Sequence, residues 1–291
     1  MKTIDLVIPY VNNKDKVWEK QFVEYCLKHN NKHVADLHGS RYEDVGLIDY
    51  QLKLVERNMP WVRTIWLILS NKEQAPKYLP SNCKIVYHHE FIPYRFLPTF
   101  NSTTIEMFIW DIKGLSEKFI YANDDMLPIR LLKPSDFFLG KHIKMNFKTA
   151  ILSRDSGVFR YQCYNSYYNL IKNLPYYPYD DKNMFFYPEH TMTPMIKSHC
   201  ELAFKSMEKD ILPHIGAFRT EYQHNQYIYP NYEKITNNTL DSEIDFYYSH
   251  LDEEQSVLEE KLDTVKIFCA NILKKKENVA ILLRKLNELC K

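Results

Sequence analysis

The chain has 291 residues, with 38 Lys plus Arg against 37 Asp plus Glu and a formal net charge of +1. A chain of this length buries one large core or two modest ones, and its balanced charge gives no whole-protein field for nucleic acid, so an anionic ligand has to be handled locally. Only six glycines occur, none in a Gly-x-Gly-x-x-Gly or Gly-Lys-Ser/Thr run, which argues against a Rossmann phosphate loop and a P-loop and leaves side chains and a metal to hold any phosphate. The six cysteines are scattered with no Cys-x-x-Cys pair, which argues against zinc and thioredoxin-like sites and for buried thiols in a reducing compartment. The apolar run at the amino terminus is short and broken by Asp5, and no later stretch approaches a membrane span. The expectation is a soluble, cytoplasmic protein with a single catalytic domain over residues 1–291.

Ile4 to Val11 is almost wholly apolar and reads as a buried first strand, followed by a helix over Val17 to Leu27. Asn12 and Asp15, in the loop between them, are placed either to touch a nucleotide or sugar or to close a turn and cap the helix. Arg41 precedes a second helix with an apolar face of Leu47, Ile48, Gln51, Leu52, Leu54 and Val55, ended by Met59-Pro60-Trp61. An arginine just ahead of a helix start can pair with a phosphate, or with a surface acid. Thr64 to Leu69 and Lys84 to Tyr87 read as two more strands. His88, His89 and Glu90 have the residue types of metal ligands, but consecutive residues of an extended chain point to opposite sides, so the trio reads as structural. Leu97 to Asn101 leads into a helix from about Thr103 to Ile112, where Thr103 and Glu106 have capping-box spacing. That assigns Glu106 a structural role and leaves Asn101 as a ligand contact.

A fourth strand, Phe119 to Ala122, runs directly into Asn123, Asp124 and Asp125. Two carboxylates and an amide thus sit where a buried strand reaches the surface, the rim at which open α/β sheets bind ligands. Adjacent like charges are costly unless a cation or proton separates them, and carboxylate oxygens are the ligands that magnesium and manganese prefer. Asp124 and Asp125 are therefore read as a metal and acid/base site, with a strand-ending turn as the alternative. The alternation of strands and helices predicts an α/β fold with a mainly parallel central sheet and helices on both faces.

From Tyr161 to Tyr187 ten residues are Tyr or Phe, an aromatic-rich insertion suited either to a sugar or lipid-linked acceptor or to packing a loop-rich subdomain. Leu251 to Lys291 reads as a helical tail in which Val279, Leu282, Leu283, Leu286 and Leu289 form an apolar stripe among basic residues. Such an end suits peripheral contact with the inner face of an anionic membrane, or a core face. Three sub-regions follow: a nucleotide-sugar-binding core over 1–137, an acceptor and phosphate region over 138–240, and the tail over 241–291.

Taken together and in order, these stretches resemble the Stealth family of sugar-1-phosphate transferases, which includes bacterial capsule polysaccharide enzymes and the lysosomal N-acetylglucosamine-1-phosphotransferase of animals. The first block is Ile4 to Asn13. The strongest runs from Arg41 to Met126 through Tyr50-x-Leu52, Pro60-Trp61-Val62-Arg63, Leu97 to Ser102, Ile105-Glu106, Gly114 to Tyr121 and Asn123-Asp124-Asp125. A third covers His190 to Met195, Phe218-Arg219 and Gln226 to Tyr232. Asn13 stands where the family has Gly, Gln223 about where many members have Asp, and Cys269-Ala270-Asn271-Ile272 lacks the acid of the closing block. Residues 138–186 and most of the tail are not covered.

The resemblance implies a nucleotide-sugar transferase-like fold and transfer of a hexose-1-phosphate. The donor would be a UDP-linked hexose or N-acetylhexosamine, the acceptor a hydroxyl of a glycan or lipid-linked saccharide, and Mg2+ or Mn2+ would assist. Asp124 and Asp125 would hold the cation and assist proton transfer, His190 and Arg219 would stabilise charge, and Asn12, Asp15, Arg41, Asn101 and Asn123 would orient the donor. Two rival readings are a metal-dependent glycosyltransferase that releases UDP and a non-catalytic glycan-binding protein.

Overall fold

A computed structural model of the chain describes residues 3–29, 45–174, 184–271 and 274–291. The amino-terminal half follows the expected alternation: β1 (Ile4–Pro9), α1 (Lys16–Lys28), α2 (Leu47–Asn58), β2 (Ile65–Leu69), β3 (Cys83–Tyr87), α3 (Ser102–Phe108) and β4 (Lys118–Tyr121). After the Asn-Asp-Asp turn come β5 (Met126–Pro128), the single-turn α4 (Pro134–Phe137), β6 (Phe138–Leu139), β7 (His142–Lys144) and β8 (Phe147–Ile151). Next are α5 (Val158–Asn173), β9 (Met184–Pro188), β10 (Thr193–Ile196), α6 (Lys197–Ser206), α7 (Glu208–Ile211) and α8 (Ile228–Ile235). The chain closes with β11 (Thr239–Leu240), β12 (Phe246–Ser249), α9 (Gln255–Thr264), β13 (Ile267–Ala270) and α10 (Lys276–Leu289).

The central sheet has the order β10-β4-β1-β2-β3, parallel throughout except for the antiparallel edge strand β10. Its strands are continuous apolar runs because both faces are covered. Leu6, Ile8, Ile65, Leu67 and Ile120 pack with Ile48, Leu52 and Val55 of α2. Their neighbours Val7, Trp66, Ile68 and Phe119 point the other way, against Met107 and Phe108 of α3 and Ala203 and Phe204 of α6. Asp5, the polar break in the first run, is fully buried: Arg63 donates Nε at 2.8 Å and a terminal nitrogen at 2.6 Å, Trp66 its indole N–H at 2.9 Å, and Ser116 its backbone N–H at 2.8 Å. Burial pushes the Asp5 carboxyl up, and these bonds with the Arg63 charge outweigh it, leaving the group below its ordinary range.

The carboxyl-terminal segment holds its expected helices, α9 and α10, and also two strands. β12 pairs parallel with β13, and β13 pairs antiparallel with β5, so that Cys269 lies opposite Met126. Leu282 and Leu286 of α10 are fully buried in a cluster with Leu47 and Leu54 of α2, Leu127 of β5, and Leu258 and Leu262 of α9. The basic residues of that end bind its own acids: Arg284 with Glu259 at 2.9 Å, Lys274 with Asp252 at 2.7 Å, and Lys285 with Asp263. The stripe is a core face, so the membrane reading loses the apolar surface that motivated it. Among the described residues no helix is long and apolar enough to cross a membrane.

Two buried histidines tie the fold to pH. Burial pushes both His88 and His224 down to about 4, with His89 adding to the effect on the first and His214 on the second. Both are neutral when folded, whereas in the unfolded chain they protonate near the ordinary value of about 6.5. Stability is therefore level above about pH 6.5 and falls as pH drops from there towards 4, by up to roughly 3 kcal/mol for each residue. Urea midpoints across that window should show the fall, and His224→Gln should reduce it by about half; an unchanged slope in the variant would contradict this origin.

Candidate active site

The Asn-Asp-Asp turn is held from three directions. The backbone N–H of Ala122 donates to Val7 at 3.0 Å, ending the sheet ladder. Gln51, fully buried on α2, donates its side-chain amide to the carbonyls of Asn123 and Met126, both at 2.7 Å. Ala270 of β13 donates its N–H to the carbonyl of Asp125 at 3.0 Å. With the backbone fixed, Asn123, Asp124 and Asp125 are half-buried in the wall of a cavity of about 810 Å³.

His190 and Arg219 line the same cavity. His190, between β9 and β10, has Nδ1 3.1 Å from the Tyr227 hydroxyl and Nε2 3.4 Å from Nδ2 of Asn123. An amide nitrogen can only donate, so this pattern assigns the lone pair to Nε2 and the proton to Nδ1, which donates to Tyr227. Burial lowers the affinity of His190 for a second proton and Arg219 lowers it further, against the pull of Asp125. Arg219 donates to the hydroxyl of Ser102 at the start of α3.

Glu106, one turn along α3, is also buried in this wall. It accepts from the backbone N–H of Gln226 at 3.0 Å and from the Tyr121 hydroxyl at 3.3 Å. Burial pushes its carboxyl up, opposed chiefly by the charge of Arg219. Three carboxylates, Glu106, Asp124 and Asp125, thus share one opening with the Arg219 guanidinium and the His190 imidazole, and Lys148 and Arg160 line it as well. An anionic ligand can enter such a site only beside cationic groups, which Arg219 supplies and a metal ion would reinforce.

The side chains around Asp125 differ in how well they suit a divalent cation. Asp125 Oδ2 accepts from Asn271 Nδ2 at 3.3 Å, while Oδ1 is buried with no hydrogen-bond partner among the described residues. Ligand atoms of Asp125, His190 and Cys269 lie within 4.8 Å of one another. Burial, with the Asp125 and Asp124 charges adding to it, holds the Cys269 thiol well above its ordinary range, so it is protonated and suits a hard cation poorly. An unpartnered buried carboxylate oxygen next to Asp124 does suit one.

Of the residues expected from sequence, Asn123, Asp124, Asp125, His190 and Arg219 meet in the cavity wall, and Asn12, Asp15 and Asn101 do not line it. Asp15 caps α1, accepting from the N–H groups of Val17 and Trp18, and also receives Asn71 at 2.9 Å and Gln74 at 3.3 Å. Asn12 accepts from the N–H of Lys14 and donates its own N–H to Gln74. Asn101 caps α3 through Thr103 N–H and donates to Gln223. The three residues act at one remove, since Gln74, Ser102 and Thr103 form part of the wall. Arg41 lies outside the described residues.

Gln223 is buried and accepts from Asn101, Thr103 and the N–H of Thr220, joining α3 to the loop that carries Arg219. The expected capping box of Thr103 and Glu106 is absent: the cap is Asn101, and the helix ends at Phe108 in a tighter turn over Ile109–Asp111. Glu106 is the site residue that sequence reasoning set aside. Its flanking Ile105, Met107 and Phe108 marked a buried acid, which needs a partner. Tyr227 and Tyr248 were also missed; the latter stands edge-on to His190 at 5.2 Å.

These features define an α/β protein with a cavity at the carboxyl rim of its parallel strands, lined by acidic and basic side chains. Residues 41–146 match Stealth protein CR2, conserved region 2. The capsular polysaccharide phosphotransferase WcwK of Streptococcus pneumoniae is 30% identical over 306 residues, covering 93% of this chain and 90% of that protein. The capsular polysaccharide phosphotransferase cps12A of Actinobacillus pleuropneumoniae is 34% identical over 219 residues, 72% of this chain and 57% of that protein. The chain belongs to the Stealth family, and it spans little more than half the length of the Actinobacillus relative. The galactosyltransferase LgtC, solved with donor and acceptor sugar analogues, is 11% identical with a TM-score of 0.40 over 98% of this chain and 95% of that one, too distant to bear on fold or function.

Gln51→Met keeps the side-chain volume but removes both amide protons from the turn. It should lower unfolding stability by about 1–3 kcal/mol, the cost of leaving buried carbonyls short of donors. A wild-type urea midpoint in the variant would mean that the turn is held by its other bonds alone.

Proposed function

We propose that the chain transfers a hexose-1-phosphate from a UDP-linked hexose or N-acetylhexosamine to a glycan hydroxyl in capsule or cell-surface polysaccharide synthesis. The transfer would form a phosphodiester and release UMP. The observation that carries this reading is the meeting of Asp124, Asp125, His190 and Arg219 in one cavity, in a chain related over nearly its whole length to a capsular polysaccharide phosphotransferase. Use of a nucleotide sugar would place the reaction in the cytoplasm.

Arg219, steadied by Ser102 and the Glu106 charge, would bind phosphoryl oxygens of the donor as a planar fork. His190, its Nδ1 proton engaged by Tyr227, would exchange the long Asn123 contact at Nε2 for the acceptor hydroxyl and take its proton on that lone pair. The freed oxygen bonds to the phosphorus that bears the sugar, and the bond from that phosphorus to the bridging oxygen breaks, its electron pair leaving with UMP. This assigns His190 the role of proton acceptor rather than the donor or charge stabiliser suggested by sequence. Asp124 and Asp125 would hold Mg2+ or Mn2+, which when bound supplies positive charge against the diphosphate. Asn123 would orient both His190 and the donor, while Asn12, Asp15 and Asn101 keep the wall in shape.

Incubation with a panel of nucleotide sugars and glycan acceptors should release UMP and yield a phosphodiester visible by phosphorus NMR; release of UDP instead would reassign the chemistry to glycosyl transfer. Asp125→Asn, with an unchanged circular dichroism spectrum, should lose at least about a hundredfold in turnover. Near-normal turnover sinks the assignment of that residue. Chelation with EDTA should stop UMP release and added Mg2+ or Mn2+ should restore it, whereas full activity in chelator would remove the cation from the scheme.

A further inference from the structure

Resting on the reading of this cavity as a sugar-phosphate transfer site, we propose that the acceptor is an anionic saccharide, one that already carries a phosphate ester near the hydroxyl to be modified. The first turn of α5 and the paired strands β8 and β9 form the subsite that reads it. β8 and β9 pair so that Lys148 lies opposite Tyr187. The Arg160 guanidinium lies 5.9 Å from the centre of the Tyr187 ring. Phe159, 46% exposed, stands edge-on to Tyr227 at 5.9 Å and to His190 at 6.5 Å. All four residues line the cavity that holds Asp125 and His190.

Two aromatic faces beside the proton-accepting histidine offer a surface for a sugar ring, and two cations flank it. Among the described residues neither Lys148 nor Arg160 forms an ion pair with a carboxylate. The amino terminus of α5 adds to the positive potential, since Gly157 gives it no side-chain cap and its first turn has no acid.

A separate observation points to a bound hydroxyl. Gln162, one turn along α5, is fully buried in the cavity wall and donates Nε2 to the carbonyl of Thr220 at 2.9 Å. Its Oε1 is buried with no hydrogen-bond partner among the described residues. A buried acceptor left unpaired is costly, and a sugar hydroxyl donating to it would relieve that cost.

The charge and the hydroxyl acceptor together describe a saccharide with an anionic substituent, and phosphate follows from the reaction itself. A glycan extended by sugar phosphate presents a phosphodiester close to its growing end. All the subsite residues lie beyond residue 146, outside the matched Stealth region. Acceptor choice can therefore vary while the Asn-Asp-Asp turn stays constant.

The test compares three acceptors on the intact protein: a disaccharide bridged by a phosphodiester, the same disaccharide with a neutral glycosidic bridge, and the neutral disaccharide with a phosphate at its reducing end. Wild-type KM should be about tenfold lower for either phosphorylated acceptor than for the neutral one at low salt, with the gap narrowing as salt rises. The two phosphorylated arms show whether the phosphate is read within the chain or at its end. The K148A/R160A double variant, changed at two exposed positions, should bring the ratio close to one by raising KM for the phosphorylated acceptors while kcat stays within about twofold. A wild-type ratio near one overturns the proposal, as does a double variant that raises donor KM instead. Binding of the same saccharides without donor, followed by ligand-observed NMR, separates the two ideas: absence of UMP release with every donor defeats the transferase reading, and equal binding of charged and neutral saccharides defeats this one.

Discussion

Gln51 spends both protons of its amide on the carbonyls of Asn123 and Met126, in the turn that leads from β4 of the central sheet to β5 of the small sheet of β12, β13 and β5. The Asn-Asp-Asp turn is thus tied to α2 on one side and to the distant strand β13 on the other. A side chain on a free loop would have to be ordered by its ligand, at a cost in conformational entropy for each residue. Here that ordering is done on folding, and the aspartates enter the cavity with their backbone already set.

The same arrangement gathers charge that the fold would not choose for its own sake. Glu106 is buried beside Tyr121, and Asp125 keeps one oxygen without a partner. Buried carboxylates that lack full compensation weaken a fold, and such weakness concentrates where a ligand completes the set. Asp5 shows the contrast: equally buried, it is satisfied by Arg63, Trp66 and Ser116 and has no access to the cavity. Two buried acids in one chain are told apart by whether their lone pairs are filled.

The aromatic-rich insertion divides its labour. Tyr167 and Phe185 pack with Cys163 and Ile171 in a small core, and Phe185 and Tyr187 also line the cavity. The small core joins the β8–β9 strand pair to α5.

The sequence by itself determined the parallel sheet, because apolar runs such as Ile4 to Pro9 and Ile65 to Leu69 have no polar face and can exist only between two layers. It also determined that Asn123, Asp124 and Asp125 follow a buried strand, and that α2 stops before Pro60, since these are local properties read over a few residues. Tertiary structure alone decided which polar residues reach the cavity. Glu106 meets Gln226 across 120 positions, and Asp125 meets Asn271 across 146. It also decided that Asp15 and Asn101 turn back onto their own helices, and that β13 runs through what read as a helical tail. Periodicity reports which face of an element is apolar, but whether a polar side chain caps, pairs or faces a ligand depends on what packs against it from elsewhere in the chain.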